Sequence, residues 1–300
     1  MQNDTTLTLD FTPDRDTIKL LRIPFSYFLM PVFFFALSQA NHIDWFNAAT
    51  CFIALHLFIY PASNGYNSYM DNDETSIGGL ENPPKPTRKL FYVSLLCDVI
   101  GLTLALIVNI QFFAGVLAYI LASRAYSFKG IRLKKYPLLG FLTVVFFQGA
   151  VTFWMIYSGV SSTPFQFNYT SLSVLAGCSF LIGGVYPLTQ VYQHEADKAN
   201  GDNTISRVLG IKGTFIFSAV MFLFADVLFC YYFRNVGNFT SFLILQFFLL
   251  PVILYFNIWF TFVLKDAREA SFKRTMRMNL VASTCMNLCF VFILILNLHK

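Results

Sequence analysis

Two polar stretches interrupt an otherwise apolar chain, and each ends in clustered carboxylates. The first, NSYMDNDE, covers residues 67–74. The second, QVYQHEAD, covers residues 190–197 and runs on to Gly201, Asp202 and Thr204. On a helix, Asn67 and Asp71 lie four residues apart and Asp71 and Glu74 three apart, so these three share a face, with Asn64 one turn earlier; Asp73 points elsewhere, or joins the site only if the helix has ended there. In the second stretch Tyr186, Gln190, Gln193 and Asp197 are spaced four, three and four, which makes one continuous stripe. His194 stacks on Gln190, Glu195 lies off the stripe, and Asp202 follows in the turn after Gly201. Carboxylates at a membrane surface are costly unless they are used. Carboxylate and amide oxygens suit Mg²⁺, which takes a few such ligands and completes its shell with water and phosphate. Asn67, Asp71 and Glu74 on one side, and Asp197 with Glu195 or Asp202 on the other, are enough for two ions with a diphosphate between them.

The basic residues fit that chemistry. Arg124, Lys129, Arg132, Lys134 and Lys135 crowd one short region, next to Tyr126 and Ser127. Arginine and lysine neutralise phosphate oxygens. Membrane topology alone asks for basic residues in such a place, so a substrate role is expected for one or two of them, Arg132 and Lys134, together with Arg22. Asp98 and Asp226 fall inside apolar runs, where a charge faces the interior or pairs.

These groups need helices to position them. Of 300 residues, 56% are hydrophobic and 12% charged, against roughly 25% charged in soluble domains. The chain is therefore expected to be an integral, multi-pass protein of the lipid bilayer, with no nucleic acid partner. Nine runs approach the roughly 20 residues that a crossing helix requires: 22–40, 46–70, 90–109, 111–128, 138–158, 170–194, 212–233, 239–264 and 278–298. A tight turn near Asn109 separates the third from the fourth. With nine spans, all but Arg234 and Lys300 of the 21 Lys and Arg fall on one side. Basic loops stay cytoplasmic, so the N-terminus and both carboxylate stretches are expected on the cytoplasmic side, in the inner membrane of a bacterium. Residues 1–18 read as a polar tail, with Asp4, Asp10, Asp14 and Asp16 and no early apolar leader. Residues 19–300 read as a single transmembrane domain. The six cysteines sit in apolar runs without a CxxC pair and read as small core residues.

With these motifs the chain resembles the UbiA superfamily of intramembrane prenyltransferases over about residues 20–298. Asn67 with Asp71 matches the start of that family's first motif. Asp197, Gly201 and Thr204 match the end of the second, with Gly210 beyond, and the Tyr126-Ser127 and Arg132–Lys135 segment resembles its loop after the fourth helix. The resemblance implies an all-α bundle of nine transmembrane helices and a Mg²⁺-dependent transfer from an allylic isoprenyl diphosphate to a hydrophobic or aromatic acceptor, a quinone or pigment precursor by default. Asp71 and Asp197 would be catalytic. Asn67, Arg22, Arg132, Lys134, Tyr126, Gln190, Gln193 and Tyr186 would bind substrate. Tyr66, Tyr69, Tyr186 and Tyr192 are either cation-stabilising rings or packing. Two departures stand out: Thr75 and Gln193 occupy positions where the family commonly has aspartate. The competing readings are a transporter with a carboxylate-lined site, a lipid-alcohol prenyltransferase, and a relative that binds isoprenoid without turnover.

Overall fold

The computed structural model describes residues 13–72 and 74–299; residues 1–12, Asp73 and Lys300 lie outside the described residues. Among the described residues nine helical runs form the bundle: α1 Arg15–Gln39, α2 Trp45–Asp71, α3 Arg88–Val108, α4 Ile110–Ser127, α5 Pro137–Val160, α6 Tyr169–Leu188, α7 Ile205–Asn235, α8 Phe239–Lys265 and α9 Phe272–Leu298. Eight of them are long and apolar enough to cross a membrane. The ninth, α4, has 18 residues, about 27 Å of helix, and ends in a polar turn that carries Arg124, Tyr126 and Ser127. The protein is an integral, multi-pass membrane protein.

Helix contacts are close because small residues and rings interlock, which is how helices associate once lipid has replaced water. A Cβ added to Gly149 of α5 would lie 2.5 Å from the Ser179 Cα of α6, so only glycine lets these two backbones meet. At the core Phe35 stacks on Phe290 at 4.4 Å and meets Phe153 and Phe229 edge-on. Both α2 and α5 carry a π-helical stretch, Ala54–Ile59 and Phe146–Val151.

The helix ends that matter lie together at one end of the bundle. α2 stops at Asp71 because Asn72 turns left-handed (φ 53°) and its N–H closes on the Ser68 carbonyl. α6 stops at Leu188, not near residue 194. Pro187 sits in its last turn, lacks an N–H and crowds the preceding turn, and the chain goes on in tight turns to a short helix, His194–Ala199. The continuous helical stripe through Tyr186, Gln190, Gln193 and Asp197 is therefore broken, and those side chains converge by a fold-back instead. α7 begins at Ile205, earlier than position 212, and bends at Gly210, whose φ of 68° is left-handed. The tight turn at Asn109 is present. Its side chain accepts from the Phe112 N–H at 2.8 Å and donates to the Ser158 carbonyl at 2.8 Å.

Candidate active site

The polar helix ends open onto one cavity of about 590 Å³ that runs down between the helices. Its charged mouth is built by three segments distant in sequence. Asp71 comes from the end of α2, Lys134 from the loop after α4, and Asp197 and Asp202 from the segment between α6 and α7. Arg132, left-handed at φ 48°, folds the loop so that its own guanidinium and the Lys134 ammonium both reach the two carboxylates. Arg132 donates to both Asp202 oxygens, at 2.8 and 3.0 Å, and lies 3.6 Å from Asp71. Lys134 pairs with Asp71 and lies 3.3 Å from Asp202. The two carboxylate stretches are thus joined through the basic loop.

Asp197 stands apart from this network. It accepts a hydrogen bond from the Thr204 hydroxyl at 3.0 Å, and among the described residues no ion pair holds it. Burial raises its carboxyl from 3.8 to about 6. The Thr204 hydrogen bond and nearby Lys134 pull the other way, and Asp202 adds to the rise. A carboxylate in this position is short of positive charge.

Below the mouth lies a hydrogen-bonded collar. Ser127 donates to the Asn67 side chain at 2.7 Å. The Tyr126 and Tyr186 hydroxyls share a hydrogen bond of 2.5 Å, and the Gln190 amide donates to Tyr186 at 2.8 Å. The buried Gln190 Oε1 has no partner and belongs to the cavity wall. Gln193 donates to the Ser76 carbonyl at 3.3 Å, which straps the second stretch to the loop after the first. Farther down the wall is largely apolar, with Leu29, Val32, Phe147, Phe222, Leu249 and Met286.

Several expected positions fall elsewhere. Glu74 lies past the end of α2, is exposed, and pairs with Lys85 at 3.4 Å; the helical face that would have carried it ends at Asp71. Glu195, on the first turn of the short helix, is exposed and does not line the cavity. Asp202 lines the cavity, but its oxygens are taken by Arg132 and Lys134. Arg132 does not line the cavity and works from behind Asp202. Arg22 lines it, yet its guanidinium donates to the Gly78 carbonyl at 3.0 Å and the Asn64 carbonyl at 3.2 Å, fastening α1 to the first motif. His194 turns to Ser206 at 2.8 Å. The Tyr66 ring lies against the Arg124 guanidinium, 4.0 Å away, and the Tyr69 ring packs on Phe91 at 5.3 Å; neither lines the cavity, while Tyr126, Tyr186 and Tyr192 do.

The sequence reading missed Gln148, Gln246, Asn257, Asn279 and Ser283, all on the cavity wall. Their signal was a polar side chain inside an apolar run. Asp226 also lines the cavity and accepts from Gln246 at 2.6 Å.

The UbiA prenyltransferase family matches residues 28–281. A UbiA homolog from Archaeoglobus fulgidus bound to GPP and Mg²⁺ is 16% identical, superposes with a TM-score of 0.69, and covers 93% of this chain and 99% of its own. The apo UbiA homolog from Aeropyrum pernix K1 is 17% identical with a TM-score of 0.67, covering 90% and 98%. A digeranylgeranylglyceryl phosphate synthase structure is 16% identical with a TM-score of 0.62, covering 94% and 98%. At this identity the likeness establishes the fold. No curated protein sequence matches the chain.

Proposed function

Since the chain belongs to the UbiA prenyltransferase family, we propose that it moves an isoprenyl group from an allylic isoprenyl diphosphate to a hydroxyl-bearing acceptor, in a single domain over residues 19–300. The observation that carries this reading is the cavity itself. A mouth with Asp71, Asp197, Asp202 and Lys134 leads past a tyrosine collar into an apolar chamber of matching polarity for a diphosphate with a hydrocarbon tail. The distribution of Lys and Arg supports an orientation with this mouth on the cytoplasmic side.

The donor set fits Mg²⁺. It is all oxygen, and Asp71 Oδ1 is buried without a hydrogen-bond partner. Asp71 and Asp197 would hold the ion, with Asn67 supplying an amide oxygen nearby. Glu74 and Glu195 are too exposed to take part. Bound Mg²⁺ supplies Lewis-acid neutralisation of the diphosphate.

The protein's own groups do the rest. Lys134 neutralises leaving-group oxygens, and Asp202, itself fixed by Arg132, holds Lys134 in place. The C1–O bond of the donor breaks, and its electron pair leaves with the diphosphate. The rings of Tyr60, Tyr126 and Tyr186 on the wall offer their faces to the allylic cation. The acceptor attacks C1 and loses a proton. The unpartnered Gln190 Oε1 orients the acceptor hydroxyl, and an aromatic phenol is the first acceptor to try.

The test is diphosphate release by the purified protein with Mg²⁺, supplied with geranyl, farnesyl and geranylgeranyl diphosphates and a pool of aromatic and lipid-alcohol acceptors. Release that stops with EDTA and in Asp71→Asn is the expected result, and the product mass names the acceptor. No binding and no release would return the protein to the transporter reading.

A further inference from the structure

The charges at the cavity mouth are unequally shared, and this bears on how many cations the site takes. Of its three carboxylates among the described residues, Asp71 and Asp202 are each paired with both Arg132 and Lys134. Lys134 Nζ lies between one oxygen of Asp71 and one of Asp202. An ammonium therefore stands where a bridging cation between the two motifs would stand. Asp197 is left, half-buried and, among the described residues, without an ion pair. Among the described residues, three carboxylates against two bases leave one negative charge, and Arg207, which donates to the Asp202 carbonyl, offsets more of it.

The two missing aspartates point the same way. Thr75 and Gln193 both line the cavity, so their neutral side chains remove two negative charges from the wall itself. Gln193 also uses its amide as a donor to the Ser76 carbonyl. A carboxylate there would face a carbonyl oxygen with no proton to give. Glu74 and Glu195 are on the outer surface and replace neither. Among the described residues no group of three His, Cys, Asp or Glu side chains converges closely enough to hold a metal ion.

We propose that this site takes one divalent cation, held by Asp71 and Asp197, and that Lys134, locked by Asp202, which Arg132 fixes in turn, stands permanently in the place of a second. The inference rests on the prenyl-diphosphate reading above. It assigns Lys134 two tasks: it bridges the motifs in the resting site and meets diphosphate oxygens when substrate is bound. Unlike a metal ion, a lysine cannot be removed by chelation, so the empty site keeps its shape.

The experiment counts bound Mn²⁺ by electron paramagnetic resonance on the intact protein saturated with geranyl thiodiphosphate, an analogue that resists ionisation. One Mn²⁺ per chain is expected, and two would overturn the proposal. Lys134→Met combined with Thr75→Asp and Gln193→Asp restores the carboxylates and removes the ammonium; it is expected to bind two. One ion in that variant, with the analogue still bound, would overturn the role given to Lys134. Lys134→Arg keeps the charge and is expected to hold the count at one, so the count can be followed even if the triple variant does not fold. Binding of neither Mn²⁺ nor analogue by the unaltered protein would be a different failure, that of the prenyl-diphosphate reading itself.

Discussion

Two buried ion-pair clusters hold this bundle together, and they differ in what they face. At the cavity mouth Asp71, Asp202, Arg132 and Lys134 form a four-membered network on the wall of a chamber of about 590 Å³. One helix away, Asp98 of α3 pairs with Arg124 of α4, and the Arg124 guanidinium lies over the Tyr66 ring. That second pair does not line the chamber. It borders a crevice with no room for a water. The residue types are the same, but only the first cluster has space beside it for a ligand. A buried charge in a membrane protein therefore marks a site only when a cavity meets it; otherwise it is a tie between helices.

The sharpest way to break this comparison is to neutralise one charge at each of the two places. Asp71→Asn or Asp197→Asn is expected to lower the rate of diphosphate release by about 10³-fold, the scale seen when a group that stabilises transition-state charge is lost. Circular dichroism should show the helices intact. If either variant keeps full activity, the mouth is not the reacting site.

Arg124→Met should behave in the opposite manner. Removing one partner strands the Asp98 carboxylate, a loss on the order of 3 kcal/mol. The expected result is a lower melting temperature with unchanged activity per folded molecule. The double variant Asp98→Asn with Arg124→Met should recover most of the stability, because no unpaired charge remains. A fall in activity without a fall in stability would move this pair from scaffold to site.

How much of this was legible in the sequence follows from the same contrast. Spans and motif positions were readable because apolar runs and charges are local properties. Asp71, Asp197, Asn67, Gln190 and Tyr186 are legible by spacing and Lys134 by the crowding of bases in one loop, and all of them line the cavity. What could not be read was where a helix stops. Glu74 looked like a third member of the Asp71 face because the face continues on paper; the left-handed turn at Asn72 ends it. Gln193 belongs on paper to a stripe that Pro187 breaks, and Glu195, off that stripe, sits exposed on the short helix that follows. Pairings between distant segments were equally hidden. Asp98 finds Arg124, 26 residues away, and Asp202 finds Arg132, 70 residues away. Such contacts depend on the packing of the bundle and leave no local pattern.

A pH titration sharpens the comparison within the mouth. Asp197 is outside the spans, and burial lifts its carboxyl from 3.8 to about 6. The folded protein then holds its proton more tightly than the unfolded chain does. Between about pH 4 and about pH 6 the folded state binds more protons, so stability conferred by the protonated group is lost as pH rises through that window. Metal-free protein should therefore melt lower at pH 7 than at pH 5 as far as this group is concerned. Mg²⁺ binds the deprotonated form and should reverse the slope. Asp197→Asn should flatten both curves, and a slope that survives the substitution would assign the effect to another group.

The smallest expected effect belongs to a third polar pair, Asp226 of α7 and Gln246 of α8, joined at 2.6 Å on the cavity wall. It lies about 16 residues along α7 from the Gly210 bend, roughly 24 Å of helix from the charged mouth. A hydrogen bond between membrane helices is worth about 0.6 kcal/mol on average. Gln246→Leu should accordingly lower stability by less than about 1 kcal/mol and leave the rate with a short geranyl donor unchanged, since nothing near the reacting carbon has moved. The informative measurement is the dependence on donor length. A tail of two isoprene units does not extend the roughly 24 Å to this pair, whereas one of four comes close to it. If Gln246→Leu changes the KM for geranylgeranyl diphosphate but not for geranyl diphosphate, the far end of the chamber holds the end of the tail. If the two donors respond alike, Asp226 and Gln246 are a tie like Asp98 and Arg124, placed beside the cavity without serving it.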